Sequence, residues 1–232
     1  TNPTFEGAVR DTSGRGNDIT MYGATYDASD KSIDMDGNAP ASASTEYLSV
    51  DLNTNESGDI QHSSSVWFKS ASGANSTWRS IFELSENPRG GGHNMALYLK
   101  GSNENKLLYS AGNHDSYTGE LSGLYNIWNH IVLTYDGTNK RIYRNGVLIL
   151  THAYSTFEGL VKNPTLTFSK INHANNNEGF DGRVSNFKLY YSHALTAEEV
   201  KTLYDMGRCD EGHHMVNFSK TRVGIGLGDG EA

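Results

Sequence analysis

Two carboxylates on one face of a strand can share general acid–base work, so acidic pairs are the first chemistry to look for. Glu83 and Glu86 are the nearest candidates, but an offset of three along a strand sends them to opposite faces. Asp34 and Asp36 share a face, yet no third acid follows in register. No Gly-x-Ser-x-Gly string marks a nucleophilic serine. Cys209, His213 and His214 offer three zinc-type donors on one polar stretch, a grouping more often incidental than a site. Arg89-Gly90-Gly91-Gly92 lacks the Gly-Lys-Ser/Thr ending and the following helix of a phosphate cradle. What remains is binding chemistry. His93, Asn94, Asn113, His114, Asp115, Tyr117, His173, Asn175, Asn176 and Asn177 occur in three turn-rich stretches. Amides and carboxylates pair with sugar hydroxyls, and an aromatic ring packs on the apolar face of a pyranose. The same composition also makes good solvated turns.

The elements that position these residues read as strands. Short apolar–polar alternations recur about every ten residues, bounded by Gly, Asn, Asp or Ser, the pattern of a sandwich or barrel. The spacing predicts strands over 19–26, 32–36, 47–50, 65–69, 79–84, 95–100, 106–111, 128–135, 141–144, 147–151, 165–170 and 183–191. Asn145-Gly146 tolerates the positive φ angles of a two-residue hairpin, and Asp136-Gly137 turns the strand before it. One segment reads as a helix. Thr196-Ala197-Glu198-Glu199 is a capping box, Val200, Leu203 and Tyr204 share a face, and Gly207 is placed to end it. If successive strands alternate in direction, the stretches 85–93, 112–120 and 172–179 converge with the Asn145-Gly146 turn at one end. Trp78 then falls at the other end, and Trp67 and Trp128 fall in the core.

Composition agrees. The chain has 232 residues, with 36% hydrophobic and 10% aromatic residues, too many aromatics for a disordered chain despite 25 glycines. No apolar run approaches the ~20 residues that cross a bilayer. The opening Thr1-Asn2-Pro3 has no charged-then-apolar leader and reads as a cut from something longer. A net charge of −8 without a basic cluster argues against a duplex nucleic-acid partner. A single cysteine excludes an internal disulfide framework. Asn55-Glu56-Ser57, Asn75-Ser76-Thr77 and Asn217-Phe218-Ser219 are glycosylation sequons, compatible with an exposed protein.

Three segments together resemble the laminin-G-like jelly rolls of the concanavalin A-like lectin/glucanase superfamily. They are Asp11-Thr12-Ser13-Gly14-Arg15-Gly16-Asn17-Asp18; Trp128 to Gly137 with Tyr143-Arg144-Asn145-Gly146-Val147; and Phe180-Asp181-Gly182-Arg183-Val184 through Ala194 to Val200. The resemblance implies an all-β, two-sheet antiparallel jelly-roll sandwich with one short C-terminal helix, over a domain ending near residue 207. Residues 208–232 read as a linker and the start of a following module. Arg222-Val223-Gly224-Ile225-Gly226 is similar to the glycine-rich repeats of viral tail-fibre and surface proteins.

The resemblance sets further expectations. Glycosidases of the superfamily carry Glu-x-Asp-x-Glu or a variant on one strand, and no such string occurs here, so the expectation is a non-catalytic domain. Some members hold a structural calcium ion; here Asp11, Asn17, Asp18 and Asn186 would be its ligands. Ser185-Asn186 stands where related domains often carry two acids, and Asp11 and Asn17 serve equally as Asx turns. No cofactor is required. The functional expectation is recognition of cell-surface glycans by a viral surface or fibre protein, on a virion or outside the cell, with other fibre subunits as partners. A spacer module without a glycan ligand and a polysaccharide-cleaving enzyme are the alternatives.

Overall fold

Period-two alternation needs partners on both sides, and the chain supplies them in two stacked layers. The computed structural model describes residues 9–37, 46–54, 61–71, 78–85, 93–100, 105–111, 114–154, 160, 163–169 and 179–210. The strands are β1 (Thr20–Tyr22), β2 (Thr25–Asp27), β3 (Ser32–Asp36), β4 (Tyr47–Asp51), β5 (His62–Ser70), β6 (Trp78–Ser85) and β7 (His93–Lys100). They continue with β8 (Lys106–Ala111), β9 (His114–Tyr117), β10 (Asn129–Tyr135), β11 (Asn139–Arg144), β12 (Val147–Ala153), β13 (Thr165–Phe168) and β14 (Asp181–Tyr191). One helix, α1 (Ala197–Asp210), follows. Sheet A has the order β1-β4-β13-β6-β7-β8-β9 and sheet B the order β12-β11-β10-β5-β14-β3-β2. Every pairing between named strands is antiparallel. This is the expected two-sheet sandwich. Among the described residues no helix is long and apolar enough to cross a membrane.

The inward faces supply one core. Leu84, Met95, Leu97 and Tyr109 of sheet A meet Phe68, Ile131, Leu133 and Val184 of sheet B, all buried. At ~25 cal/mol per Å2 of apolar surface, each such side chain contributes about 1.5–3 kcal/mol, the term that offsets chain entropy. The two expected turns form as read. Asn145 and Gly146 have φ of 51° and 78°, and the Asn145 side-chain oxygen accepts the His130 amide at 2.9 Å. Asp136 accepts the amides of Thr138 and Asn139, at 2.9 and 2.8 Å, while Gly137 takes a φ of 93°. The capping box closes from both sides: Glu199 N donates to Thr196 Oγ1 at 3.2 Å, and Thr196 N donates to Glu199 Oε2 at 2.7 Å.

Four expectations need correction. The strand over 19–26 is two strands in different sheets, broken at Gly23 with a φ of 65°. The strand over 165–170 stops at Phe168, because Ser169 takes a φ of 58° and turns its hydroxyl onto Phe180. The stretch 112–120 contains a strand, β9, paired to β8 with Ala111 opposite His114. Gly207 does not end the helix, which runs on to Asp210 across the expected domain boundary. Trp67 explains that glycine. Its indole lies on the outer face of sheet B, stacked on Tyr204 of α1 with centroids 5.7 Å apart. A Cβ at residue 207 would stand 2.5 Å from Trp67 Nε1.

Replacing a mid-helix glycine by alanine ordinarily stabilises by roughly 0.5–1 kcal/mol. Here the sign is expected to reverse: overpacking costs about 1–3 kcal/mol, so Gly207→Ala lowers the melting temperature by about 2–6 °C. A rise in melting temperature would show that the helix does not rest on Trp67.

Candidate functional site

An extra strand in an antiparallel sheet reverses everything after it. β6 ends at Ser85 opposite Thr165, where β13 begins, so the two run in opposite directions. The chain therefore leaves β6 at one end of the sandwich and leaves β13 at the other. Calling the first the β6-exit end, β8 finishes there and β9 starts there. β10 runs back towards it, with Tyr135 opposite His62, and the Asn145-Gly146 turn lies at the far end. Of the ten expected ligand residues, those on described strands divide between the two ends. His93 and His114 belong to the β6-exit end, while Tyr117, the Asn145-Gly146 turn and the exit of β13 belong to the other. Asn113, His173, Asn175, Asn176 and Asn177 lie outside the described residues, as do the side chains of His93 and Asn94.

Alternation along β9 divides the rest. His114 and Ser116 face inward: the His114 ring is 4.5 Å from Tyr154, and Ser116 Oγ is 2.6 Å from His152 Nδ1. Asp115 and Tyr117 lie on the outer face of sheet A. There the Tyr117 hydroxyl donates to Asp115 Oδ2 at 2.8 Å. Partial burial of the phenol, then its bond to that carboxylate, pushes the phenol up to about 12, so the hydroxyl keeps its proton throughout the neutral range. Trp78 at the start of β6 reaches the same place, its ring 5.6 Å from Tyr117, with Lys100 Nζ 5.1 Å from its centroid. Tyr98 and Leu108, buried between them, form the floor. Tyr117 is 48% exposed. Two aromatic rings, a carboxylate and an ammonium thus share one rigid patch. Sequence reasoning placed Trp78 at this end, away from the β6 exit, as the structure does, but left Tyr117 at the β6-exit end because it missed β9. Across the same face, Tyr22 and Tyr47 stack at 4.3 Å near the far edge, a pair the sequence reading did not single out.

Lys140 holds β9 in place. It is fully buried inside the sandwich, donating to the His114 carbonyl at 2.7 Å, with the rings of Tyr154 and Tyr109 at 4.7 and 5.3 Å from its Nζ. Burial lowers the ammonium to about 8, and the Asp115 carboxylate partly counters that. His62 stands behind, 2.9 Å from the Tyr109 hydroxyl.

The expected calcium ligands do different work. Asp11 accepts Ser13 N and Asn17 N at 2.8 and 3.0 Å, Asp18 accepts Asp11 N at 2.7 Å, and Asn17 accepts Asn53 N at 2.8 Å. Asn186 accepts from the Lys188 ammonium, a cation where a divalent ion would need negative charge. These donors fit a self-bonded Asx loop and not a calcium cage. Among the described residues no three His, Cys, Asp or Glu side chains gather as a metal cluster.

A model of the concanavalin A-like lectin/glucanases superfamily matches residues 24–201. No curated protein sequence matches the chain. Solved structures with the same fold include the botulinum neurotoxin serotype G binding domain, at a TM-score of 0.68 and 16% identity over 85% of this chain and 48% of that one. The serotype DC binding domain, in complex with rat synaptotagmin II, gives 0.66 and 17% over 85% and 48%. The serotype D ligand-binding domain, in complex with N-acetylneuraminic acid, gives 0.66 and 16% over 88% and 49%. The chain spans about half the length of these structures, and at such identities the likeness shows the fold.

The role of Lys140 predicts a pH signature. Its folded value of about 8 lies below the ordinary 10.5, so between those values the unfolded chain binds more protons at this group. Its contribution to stability therefore rises with pH across that window and is flat below it. The wild type is expected to gain stability over Lys140→Met as pH rises from 8 to 10.5, measured by urea unfolding. Parallel curves would remove the buried ammonium from the account.

Proposed function

The chain belongs to the concanavalin A-like lectin/glucanase superfamily, and from that premise we propose that it is a non-catalytic carbohydrate-recognition domain. Its site is the Trp78–Tyr117 patch on the outer face of sheet A. The observation that carries this reading is the exposed Tyr117 ring beside Trp78, flanked by Asp115 and Lys100. A pyranose stacks its apolar face on the rings, Asp115 accepts from a sugar hydroxyl, and Lys100 donates to another. Fixing the rings on paired strands lowers the ordering cost of a shallow site. Shallow recognition gains strength from multivalent display. The glycine-rich segment 222–226 supports placing that display on a fibre or surface protein, viral or otherwise extracellular.

Carboxylate spacing supports a binding role over hydrolysis. Glu83 lies on the same outer face as Asp115, three strands away by register. At ~4.8 Å per strand that is roughly 14 Å, beyond the ~5–9.5 Å that glycoside hydrolysis uses. Asp51, two strands over and two residues along, is roughly 12 Å from Glu83 by the same geometry. The neurotoxin domains bound to N-acetylneuraminic acid and to synaptotagmin support ligand recognition as a use of this fold.

A glycan array should return a restricted set of ligands. Tyr117→Ala and Trp78→Ala are each expected to weaken binding by about 5–30-fold, the loss of about 1–2 kcal/mol of stacking and apolar contact. The melting temperature should hardly move for Tyr117→Ala, because that ring is half-exposed. A uniformly flat array would favour a spacer module. Binding that survives both substitutions would place the site elsewhere, and release of reducing sugar would restore the enzyme.

A further inference from the structure

The two sheets part along one side. Between β4 and β13 of sheet A and β2, β3 and β14 of sheet B lies a cavity of about 770 Å3. That is within the roughly 300–1,000 Å3 of small-molecule sites. Its floor is apolar, made by Ile33, Leu48, Val50, Leu166, Phe168 and Val184. The irregular register of β14 between Ser185 and Lys188, with Asn186 at a φ of 49°, carries Phe187 inward against Phe82 and Phe168. The loop before β1 frames the cavity on another side.

Two features show what such a space would hold. The first is charge. Arg10 and Lys31 line the cavity in a chain whose net charge is −8. The lining acid among the described residues, Asp11, already accepts the Ser13 and Asn17 amides. Two further acids close to Tyr26, Asp27 and Asp30, are both paired at 2.8 Å with Arg183. The second is the hydroxyl of Tyr26, a lining residue: it is buried and has no hydrogen-bond partner among the described residues. An unmade bond at a buried hydroxyl costs about 1–3 kcal/mol, and a ligand oxygen would recover it. We propose that this cavity binds a single-chain anionic amphiphile, a free long-chain carboxylate, with its tail on the apolar floor and its head between Tyr26 and the basic side chains. This site is separate from the sugar patch, which lies on the other face of sheet A.

Sodium laurate, kept below its micellar concentration, is titrated calorimetrically into the full chain, with dodecanol and butyrate as comparators. One saturable laurate site that raises the melting temperature is expected. Dodecanol and butyrate should each bind at least about tenfold more weakly, since each lacks one half of the recognition. Tyr26→Phe should weaken laurate by about 3–10-fold, while the ligand-free variant melts no lower than wild type because it loses only an unpaired hydroxyl. Arg10→Glu with Lys31→Glu should weaken laurate about tenfold or more. If that double variant fails to fold, Lys31→Glu alone carries the charge arm. No laurate binding, equal affinity for dodecanol, or full affinity in Tyr26→Phe and the charge variants would each overturn the proposal. Binding only to vesicles of anionic phosphatidylglycerol, without laurate uptake, would overturn it too. Glycan binding should be unchanged in Tyr26→Phe, so failure here and failure of the sugar site are told apart.

Discussion

An antiparallel strand does two things at once: it reverses the chain and it deals its side chains alternately to two faces. In this molecule that constraint rests most heavily on β9, four residues at the edge of sheet A with β8 as its strand partner. An edge strand so short has little ladder energy of its own. What holds it is the Lys140 ammonium on the His114 carbonyl, joined by Ser116 against His152 and by Thr118, whose hydroxyl accepts the Leu107 amide. A buried cation is costly unless its donors are used. Here a carbonyl and two aromatic faces take them up, while burial still holds the ammonium below its ordinary value. Direction and facing downstream of β9 follow from that anchor.

The same strand marks the limit of what the sequence disclosed. Layer architecture, the Asn145-Gly146 and Asp136-Gly137 turns and the capping box were legible, because each rests on local chemistry repeated within a few residues. β9 was not, because His-Asp-Ser-Tyr is poor in β-formers and its apolar contacts come from other elements. A signal did exist: Gly112-Asn113 separates Ala111 from His114 by two residues, a hairpin spacing that a loop reading absorbed. One missed reversal then inverted the end assigned to every later segment. It separated Trp78 from Tyr117, which the structure places 5.6 Å apart. Gly207 failed for a related reason. A glycine at a helix end reads as a stop, whereas here its missing side chain makes room for an indole from a strand some 140 positions earlier.

The two outer faces differ in what lies on them. α1 lies on sheet B over Trp67, His130 and Val132. His130 is so far desolvated that its imidazole falls to about 3, with the Lys188 charge adding to the effect. It stays neutral, shares a hydrogen bond with Ser65 and acts as packing. Sheet A has no helix on its outer side among the described residues, and there the alternation places Ser80, Glu83, Ser110, Thr165 and Thr167, all of them buried. Small and polar side chains on a sheet face bury little apolar area. Aromatic pairs at both flanks of that face, Tyr22–Tyr47 and Trp78–Tyr117, supply what the middle lacks.

β4 joins the two surfaces. Its outward residues place Tyr47 against Tyr22, while its inward residues, Leu48 and Val50, line the cavity between the sheets. β4 pairs with β1 on one side and β13 on the other, so neither set can turn without breaking a ladder. A shift of one residue would exchange its faces, moving Tyr47 and Ser49 into the cavity and Leu48 and Val50 into water. The register that keeps the cavity apolar is therefore the register that presents the tyrosine stack, and the two surfaces are specified by a single set of backbone hydrogen bonds. Their chemistry can still diverge, because no side chain of β4 contributes to both.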